Sequence, residues 1–340
     1  MNSKAKPKHD IPDGLNEEYY QISADILGSF NKYRPPLNIF EFKEDVCRIA
    51  PFYKVGGRLS NGQIEELASM VNEGLIFVSR DDHPVYVKHI SYQLDLVLVD
   101  KNLKEREIAD IFTQALTRRM KEFLDQPVPV VFEKLWVDLM VLTEYLHADI
   151  HRTRGLVRRM HKEHSLENHS VNCGFLGLAL FGRLQRKDCE AGTVKRQTFD
   201  RLAAGLFLHD MGMTKVAQFI RDKKVPLTGD ERTKVNAHTR VGYDMMTKLN
   251  LKYPEVEECI SQHHERLNGS GYPLKTREMG FAGRLCAVVD SFCAMITSRP
   301  YGEGLPMLNA AVDIGQDKRY DPTISKALQL LLVQDLKMKP

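Results

Sequence analysis

Histidine and aspartate side chains interrupt apolar helix faces in the second half of this 340-residue sequence. In "TFDRLAAGLFLHD", Leu202, Leu206 and His209 share one face, and Asp210 follows directly. A buried carboxylate must be paired or must bind a metal, because burying it alone is very costly. Taken alone, the pair is more simply explained by a hydrogen-bonded core histidine and a capping aspartate, so the other segments decide its role.

Three further segments carry the same signal. His238 takes a core position in the middle of the helix predicted for "DERTKVNAHTRVGYDMMTKL". His263 and His264 lie about 100° apart on a helix, so they could serve two neighbouring metal ions but not easily one. Asp290 interrupts the apolar segment "CAVVDSFCAM". By itself it could simply bond to a backbone group or an arginine.

A fifth segment, "HSVNCGFLGLALFG", begins with His169, for which a helix-capping or surface role is the plain alternative. Together, however, the five segments each supply one or two nitrogen or oxygen ligands to one helical bundle, and none supplies a thiolate. This donor set favours iron, manganese or another first-row metal over a structural zinc site. Helix bundles commonly house dinuclear sites built in this way.

Composition excludes several other classes of protein. The chain has 48 basic and 45 acidic residues, so nothing favours binding to long nucleic acid or to a membrane surface. The six cysteines form no CxxC pair, which is typical of reduced thiols in a cytoplasmic protein. The N-terminus is polar and the longest apolar window is too short to span a bilayer. We expect a soluble cytoplasmic protein.

Segment patterns predict an α+β protein whose C-terminal part is an all-α bundle. The first 40 residues or so look loosely structured. "NGQIEELASMVNEG" predicts a helix, "LIFVSRDDHPVYVKHI" two β-rich runs around a turn, and "YQLDLVLVD" a possible strand. Pro127 and Pro129 mark a boundary. We predict an α+β domain at 1–126, a helical linker at 127–157 and a helical metal-binding domain at 158–340. Position alone suggests a regulatory or partner-binding role for the first domain.

In order, these motifs make residues 158–322 resemble the HD-GYP family of the HD phosphohydrolase superfamily. The resemblance rests on the ligand motifs above, on Glu265, on "GSGYP" and on "TSRPY" at 297–301. It implies a phosphodiesterase that hydrolyses cyclic di-GMP to pGpG and/or GMP with two divalent metal ions, iron or alternatively manganese. Asp210 would bridge the two ions. The implied metal ligands are His169, His209, Asp210, His238, His263, His264 and Asp290.

The resemblance also implies how substrate is held and attacked. Gly271 and Tyr272 belong to the signature loop beside the substrate, and Arg266 and Arg299 are basic positions that could face phosphate. A water between two metal ions loses a proton near neutral pH and becomes a placed nucleophile, oriented by Asp210. Lys215 or either arginine could clamp the phosphodiester oxygens.

Three departures from the family pattern bear on activity. Ser165 stands where members with a third metal carry glutamate, so we expect two ions. Met213 replaces a lysine that contacts substrate, and Lys215 comes two residues later; Asn268 replaces a common aspartate. Two hypotheses therefore stay open: an active cyclic di-GMP phosphodiesterase, or a catalytically weak module that binds metal or cyclic di-GMP and signals through protein partners. A hydrolase of another nucleotide is disfavoured by "GSGYP", and an oligomer is possible.

Overall fold

The computed structural model describes residues 18–22, 24–90, 94–99, 103–221, 223–299 and 302–338. The chain divides between Ile111 and Phe112 into two compact units, and each is described by itself below. The domain boundaries predicted from the sequence, after residues 126 and 157, stay a prediction. No helix among the described residues combines the length and apolar content needed to cross a membrane.

The first unit contains a four-stranded antiparallel sheet. Its strands are β1 (Tyr19–Gln21), β2 (Ile39–Lys43), β3 (Arg48–Tyr53) and β4 (Ile76–Ser79). The strand order is β1-β4-β2-β3, with Tyr20 opposite Val78 and Phe40 opposite Phe77. Its helices are α1 (Ala24–Ser29), α2 (Asn61–Asn72), α3 (His83–Ile90) and α4 (Leu96–Val99), and α5 (Glu105–Asp125) crosses the division.

Three predictions for this unit were wrong in part. Residues 1–17 and 23 lie outside the described part, but residues 18–22 and 24–40 are ordered: β1 and α1 form, and Ile22, Ile26 and Leu37 are buried. The segment after Asp82 is the helix α3, not a second strand. Pro84 at its second position suits a first helical turn, where the N–H that proline lacks would have no intrahelical partner.

The segment "YQLDLVLVD" also forms a helix where we expected a strand; residues 91–93 and 100 lie outside the described part. Leu94 and Val97 are buried while Leu98 is 39% exposed, so burial recurs every third residue and not every second. Short apolar runs of this kind cannot be assigned from periodicity alone. The predicted helix "NGQIEELASMVNEG" is confirmed as α2, which begins with a capping box between Ser60 and Gln63.

The regular elements of the second unit are helices throughout its described residues, as predicted, apart from isolated β-bridges at Glu163–Ser298 and Arg299–Gly302. Beyond α5 its helices are α6 (Pro129–Ala148), α7 (Thr153–Val157), α8 (Leu166–Leu184), α9 (Arg186–Glu190), α10 (Arg196–Leu208), α11 (Gln218–Arg221), α12 (Gly229–Asn236), α13 (His238–Lys248), α14 (Pro254–Gln262), α15 (Phe281–Ile296), α16 (Met307–Gln316) and α17 (Pro322–Leu330). Short 3-10 turns lie at Ile150–Arg152 and Met211–Lys215, and a π turn at Leu331–Asp335.

Helix α8 is the centre of this bundle. It is buried continuously from His169 to Gly182, and it packs against α7, α10, α15 and α17. A helix that is apolar on all sides lies inside a protein, because no face of it can be turned to water at low cost. The first turn of α8 therefore carries His169 into the middle of the bundle.

The predicted single helix around His238 is two helices, which corrects its position in the chain. Helix α12 ends before Ala237, and His238 is the first residue of α13. The 3-10 turn at Met211–Lys215 packs against this junction so closely that a Cβ on Gly212 would lie 2.0 Å from the His238 carbonyl oxygen. The close backbone approach brings the segment after Asp210 directly against His238.

This contact predicts a contrast between two glycine substitutions. Gly212→Ala should lower the free energy of unfolding by about 1–3 kcal/mol, because the backbone must move to admit the Cβ. Gly229→Ala, at the exposed start of α12 where nothing lies within 4 Å, should be neutral or stabilising by up to about 1 kcal/mol. Chemical denaturation of both variants measures this difference; equal stabilities would contradict the close contact.

Candidate metal centre

The side chains predicted as metal ligands converge at one place in the second unit. Their nitrogen and oxygen atoms form two groups, and within each group the atoms lie within 4.8 Å of one another. The first group is Asp210, His238, His263 and His264. The second group is His169, His209, Asp210 and Asp290. Asp210 belongs to both groups, so its two carboxylate oxygens face different sets of imidazoles.

In the first group, two imidazole nitrogens face each other. His238 Nε2 lies 3.0 Å from His263 Nε2, and Asp210 Oδ1 lies 3.2 Å from the former and 3.6 Å from the latter. Both rings donate their Nδ1–H to backbone carbonyls, of Val235 at 2.6 Å and Cys259 at 2.8 Å. In the neutral rings each Nε2 therefore carries a lone pair. Lone pairs this close repel each other unless a proton or a metal ion lies between them.

The second group contains an acceptor without a donor. His209 donates its Nδ1–H to Leu206 O at 2.8 Å, which leaves a lone pair on Nε2. That Nε2 is buried, has no hydrogen-bond partner among the described residues, and lies 3.9 Å from both Asp210 Oδ2 and Asp290 Oδ1. His169 Nε2 lies 3.1 Å from the same Asp290 oxygen. A cation is the group that such a set of acceptors fits.

His264 connects the ligand groups to the surface. Its Nδ1 lies 3.7 Å from Asp290 Oδ2, and its side chain is 22% exposed, whereas that of His263 is fully buried. On the outer side its ring stacks on Tyr272, with centroids 4.6 Å apart and planes 26° apart. Helix α14 ends at Gln262, so the doubled histidine lies at the turn after the helix and not within it.

Burial and mutual charge set the protonation of these groups. Burial lowers the pKa of His209 to about 4, so this ring is neutral at pH 7. Burial would raise the pKa of Asp290, but the His169 hydrogen bond and the nearby imidazoles lower it below its usual range. For Asp210, burial is likewise outweighed by the surrounding histidines, and its pKa falls well below normal. The carboxylates are thus ionised and His209 is neutral, as metal binding requires.

Two other rings respond to the same carboxylates. Burial opposes protonation of His238, yet the Asp210 carboxylate raises its pKa overall. His169 behaves in the same way beside Asp290. By contrast, burial and the neighbouring His263 lower the pKa of His264 well below the usual value.

A cavity of about 920 Å³ opens over this cluster. Its wall includes His169, Asp210, His238, His264, Asp290 and the Tyr272 ring. The cavity is also lined by the basic side chains of Lys121, Arg221, Arg266 and Arg299. Of the residues predicted to bind substrate, Arg266, Tyr272 and Arg299 therefore lie in the wall. Lys215 is exposed and is not part of the lining. Pro300 and Tyr301 of "TSRPY" lie outside the described residues.

Ser165 and Arg266 have defined local partners. Ser165 caps α8 by accepting a hydrogen bond from Asn168 N. Arg266 donates to the carbonyls of His263 and Glu265, and its guanidinium lies 4.7 Å from the centre of the Tyr320 ring. Arg266 thus braces the turn that carries the paired histidines while its side chain borders the cavity.

The glycine-rich loop is anchored by Glu265, a motif residue to which we assigned no role from the sequence. Glu265 is fully buried, and its Oε1 accepts hydrogen bonds from Leu274 N at 2.6 Å and Lys275 N at 3.0 Å. Gly271 packs against the same turn, where a Cβ would lie 2.4 Å from His264 O. Glu265 follows two candidate ligands in "HHER", and a carboxylate at that point was the available signal.

Comparisons with known proteins agree with this geometry. A family model described as HD domain matches residues 152–324. A cyclic di-GMP phosphodiesterase of Thermotoga maritima is 29% identical over 217 residues, covering 62% of this chain and 52% of that protein. A 3′3′-cGAMP-specific phosphodiesterase of Vibrio cholerae is 30% identical over 139 residues, covering 38% and 30%. The chain thus spans about half or less of the length of these relatives.

A solved structure extends the comparison to the fold. Bd1817, a HDG"Y"P protein from Bdellovibrio bacteriovorus, matches with a TM-score of 0.60 and 16% identity, covering 93% of this chain and 99% of that chain. The chain belongs to the HD domain family. The ordered motifs predicted this family, and within it the chain is similar to curated phosphodiesterases and to a solved HDG"Y"P protein.

The opposed lone pairs predict that metal stabilises the fold. Adding Mn²⁺ to chelator-treated protein should raise the Tm, because an ion that binds only the folded state at 100 times its Kd adds about 2.7 kcal/mol. His263→Gln should weaken this increase strongly. His151→Gln, at an exposed histidine outside both ligand groups, should preserve it. Differential scanning calorimetry would contradict the assignment if both variants responded as the wild type does.

The hydrogen bonds of Glu265 predict that its removal loosens the glycine-rich loop. Glu265→Ala removes the acceptor for two backbone N–H groups, so amide hydrogen exchange across residues 269–275 should accelerate. Exchange in α8, which Glu265 does not contact through either hydrogen bond, should change less. A variant of an exposed glutamate that bonds to no loop amide, Glu133→Ala, is the control. Unchanged loop exchange in Glu265→Ala would contradict the anchoring role.

Proposed function

We propose that this chain is a metal-dependent phosphodiesterase that hydrolyses cyclic di-GMP to pGpG and/or GMP. The observation that carries the proposal is the pair of ligand groups sharing Asp210 at the floor of a cavity of about 920 Å³. The names of the curated relatives support a cyclic dinucleotide as substrate. The basic side chains in the wall suit a ligand with two negative phosphates.

The metal complement is part of the proposal. His238, His263 and His264 would hold one divalent ion, and His169, His209 and Asp290 the other, with one Asp210 oxygen toward each. Nitrogen and carboxylate donors without thiolate suit iron, and manganese as the alternative. Such ions, when bound, neutralise charge on a phosphodiester and lower the pKa of water. Ser165 offers no carboxylate for a third ion, which supports two.

The protein's own groups would orient substrate around this floor. The imidazoles lower the pKa of Asp210 and Asp290, so both carboxylates stay ionised. As acceptors they can hold the neighbouring histidine rings in place without first losing a proton. Tyr272, stacked on His264, forms part of the wall beside the floor. Gly271 and Glu265 fix the loop that carries it. Arg266 and Arg299 border the same space, while a contact from Lys215 would require that exposed side chain to move.

A second candidate function is favoured by one observation. Met213 lies in the cavity wall where the family carries a lysine that contacts substrate. Without that cation the site could bind metal or cyclic di-GMP and turn it over poorly, acting through protein partners. Regulation or partner binding by the first unit belongs to this proposal as well, on the basis of its position in the chain.

Turnover with metal analysis tests both candidates. Anaerobically purified protein should contain two metal ions per chain and release pGpG or GMP from cyclic di-GMP, with 3′3′-cGAMP as a parallel substrate. Asp210→Ala should reduce the rate at least about 1,000-fold, since it removes a ligand shared by both groups. Asp244→Ala, at an exposed aspartate of α13, is the matched control.

Two metal ions and tight binding of cyclic di-GMP without product would reject the phosphodiesterase and leave the binding module. Efficient hydrolysis that Asp210→Ala abolishes would reject the weak module. Hydrolysis unchanged in Asp210→Ala would reject the proposed metal centre itself.

A further inference from the structure

Two basic side chains in the cavity wall, Lys121 and Arg221, were not singled out by the family pattern. Arg221 ends the short helix α11, eight positions beyond Met213, and both residues line the main cavity. They also line a side pocket of about 380 Å³, together with Val235 and Arg299. Arg221 therefore borders the junction between the two spaces, beside the position from which the family lysine is missing.

The Arg221 guanidinium lacks a partner in the described part of the protein. Its Nε is buried and makes no hydrogen bond there, and no ion pair to a described carboxylate involves this residue. A buried guanidinium N–H left unsatisfied costs free energy, so such a group is normally held by an acceptor. The acceptor that suits this position is anionic, because a guanidinium group pairs best with carboxylate and phosphate.

Three other basic side chains nearby have partners or are exposed. Lys223 lines the side pocket, but its Nζ lies 2.6 and 2.7 Å from the two carboxylate oxygens of Glu231. Arg266 donates to backbone carbonyls and stacks on Tyr320. Lys215, two residues after Met213, is exposed. These contacts contrast with the unsatisfied Nε of Arg221.

We propose that Arg221 binds a substrate phosphate and supplies the cationic contact that the lysine replaced by Met213 would make. This inference rests on the proposed function, and it adds a substrate-binding residue that belongs to this chain's own sequence. Val235 and the Met213 side chain form apolar surroundings, which strengthen a charged hydrogen bond relative to water. An arginine has five donors in a planar fork that matches the oxygens of a phosphate, so a guanidinium on α11 suits this contact.

The test compares Arg221→Met with Arg240→Met, which removes the same charge from an exposed position on α13 outside the cavity lining. With manganese-loaded protein, kcat/KM is measured for cyclic di-GMP and for bis(p-nitrophenyl) phosphate. Arg221→Met should lose about 10- to 100-fold on both, the effect of one charge-assisted hydrogen bond. Arg240→Met should stay within about two-fold of wild type.

Two further variants separate a phosphate contact from a structural role. Arg221→Lys keeps the charge and should retain most of the activity. The double variant Met213→Lys/Arg221→Met moves the cation to the family position and should recover activity lost in Arg221→Met. Metal content and Tm of each variant are measured alongside. Binding of pGpG to chelator-treated protein by calorimetry gives a readout that needs no turnover, and Arg221→Met should weaken it.

The outcomes are distinguishable. If wild type ignores cyclic di-GMP but hydrolyses bis(p-nitrophenyl) phosphate in an Arg221-dependent manner, the proposed substrate is wrong and the Arg221 contact stands. If Arg221→Met equals Arg240→Met in kcat/KM and in pGpG binding at unchanged metal content, the Arg221 proposal is overturned. It is also overturned if Arg221→Met loses activity only through loss of metal or of folding, or if wild type binds and hydrolyses none of the phosphate probes.

Discussion

The Asp210 carboxylate is the group on which the rest of the site depends. One of its oxygens faces His238 and His263, and the other faces His169 and His209. A carboxylate in such a buried position needs positive charge around it, because its own desolvation is costly. The surrounding imidazoles cannot all supply that charge, since they also repel one another when protonated. Divalent ions resolve this conflict, which is why the donor set fits them.

Helix ends impose the geometry of these imidazoles. His209 and His263 cap the ends of α10 and α14, and His238 begins α13. Each ring is fixed by an Nδ1–H bond to a carbonyl three or four residues earlier, so the backbone decides where Nε2 points. Small displacements of a helix end therefore translate directly into ligand position. For this reason the close contact between Gly212 and the start of α13 matters for the position of His238.

The floor and one wall of the cavity are a single structural piece. The turn after α14 carries His263 and His264 toward the floor, and Glu265 then reaches across to hold the loop that presents Tyr272. Gly271 lies against the same backbone, where no larger residue fits. Another part of the wall is different in character: Met213 and Arg221 come from the 3-10 turn and α11, and neither belongs to the two ligand groups.

The sequence alone determined the bundle and singled out the histidines and aspartates that the structure brings together, because such residues on apolar faces signal function only when several coincide. It also assigned helices such as α2, α8 and α15, whose apolar spacing is unambiguous. It failed for α3 and α4, where short β-branched runs fit either structure, and for His238, whose helix breaks at Ala237. Only the tertiary structure decided that Glu265 holds the loop, that Lys215 faces solvent and that Arg221 lines the cavity. Those features depend on contacts between segments that are distant in sequence, and local sequence patterns cannot predict such contacts.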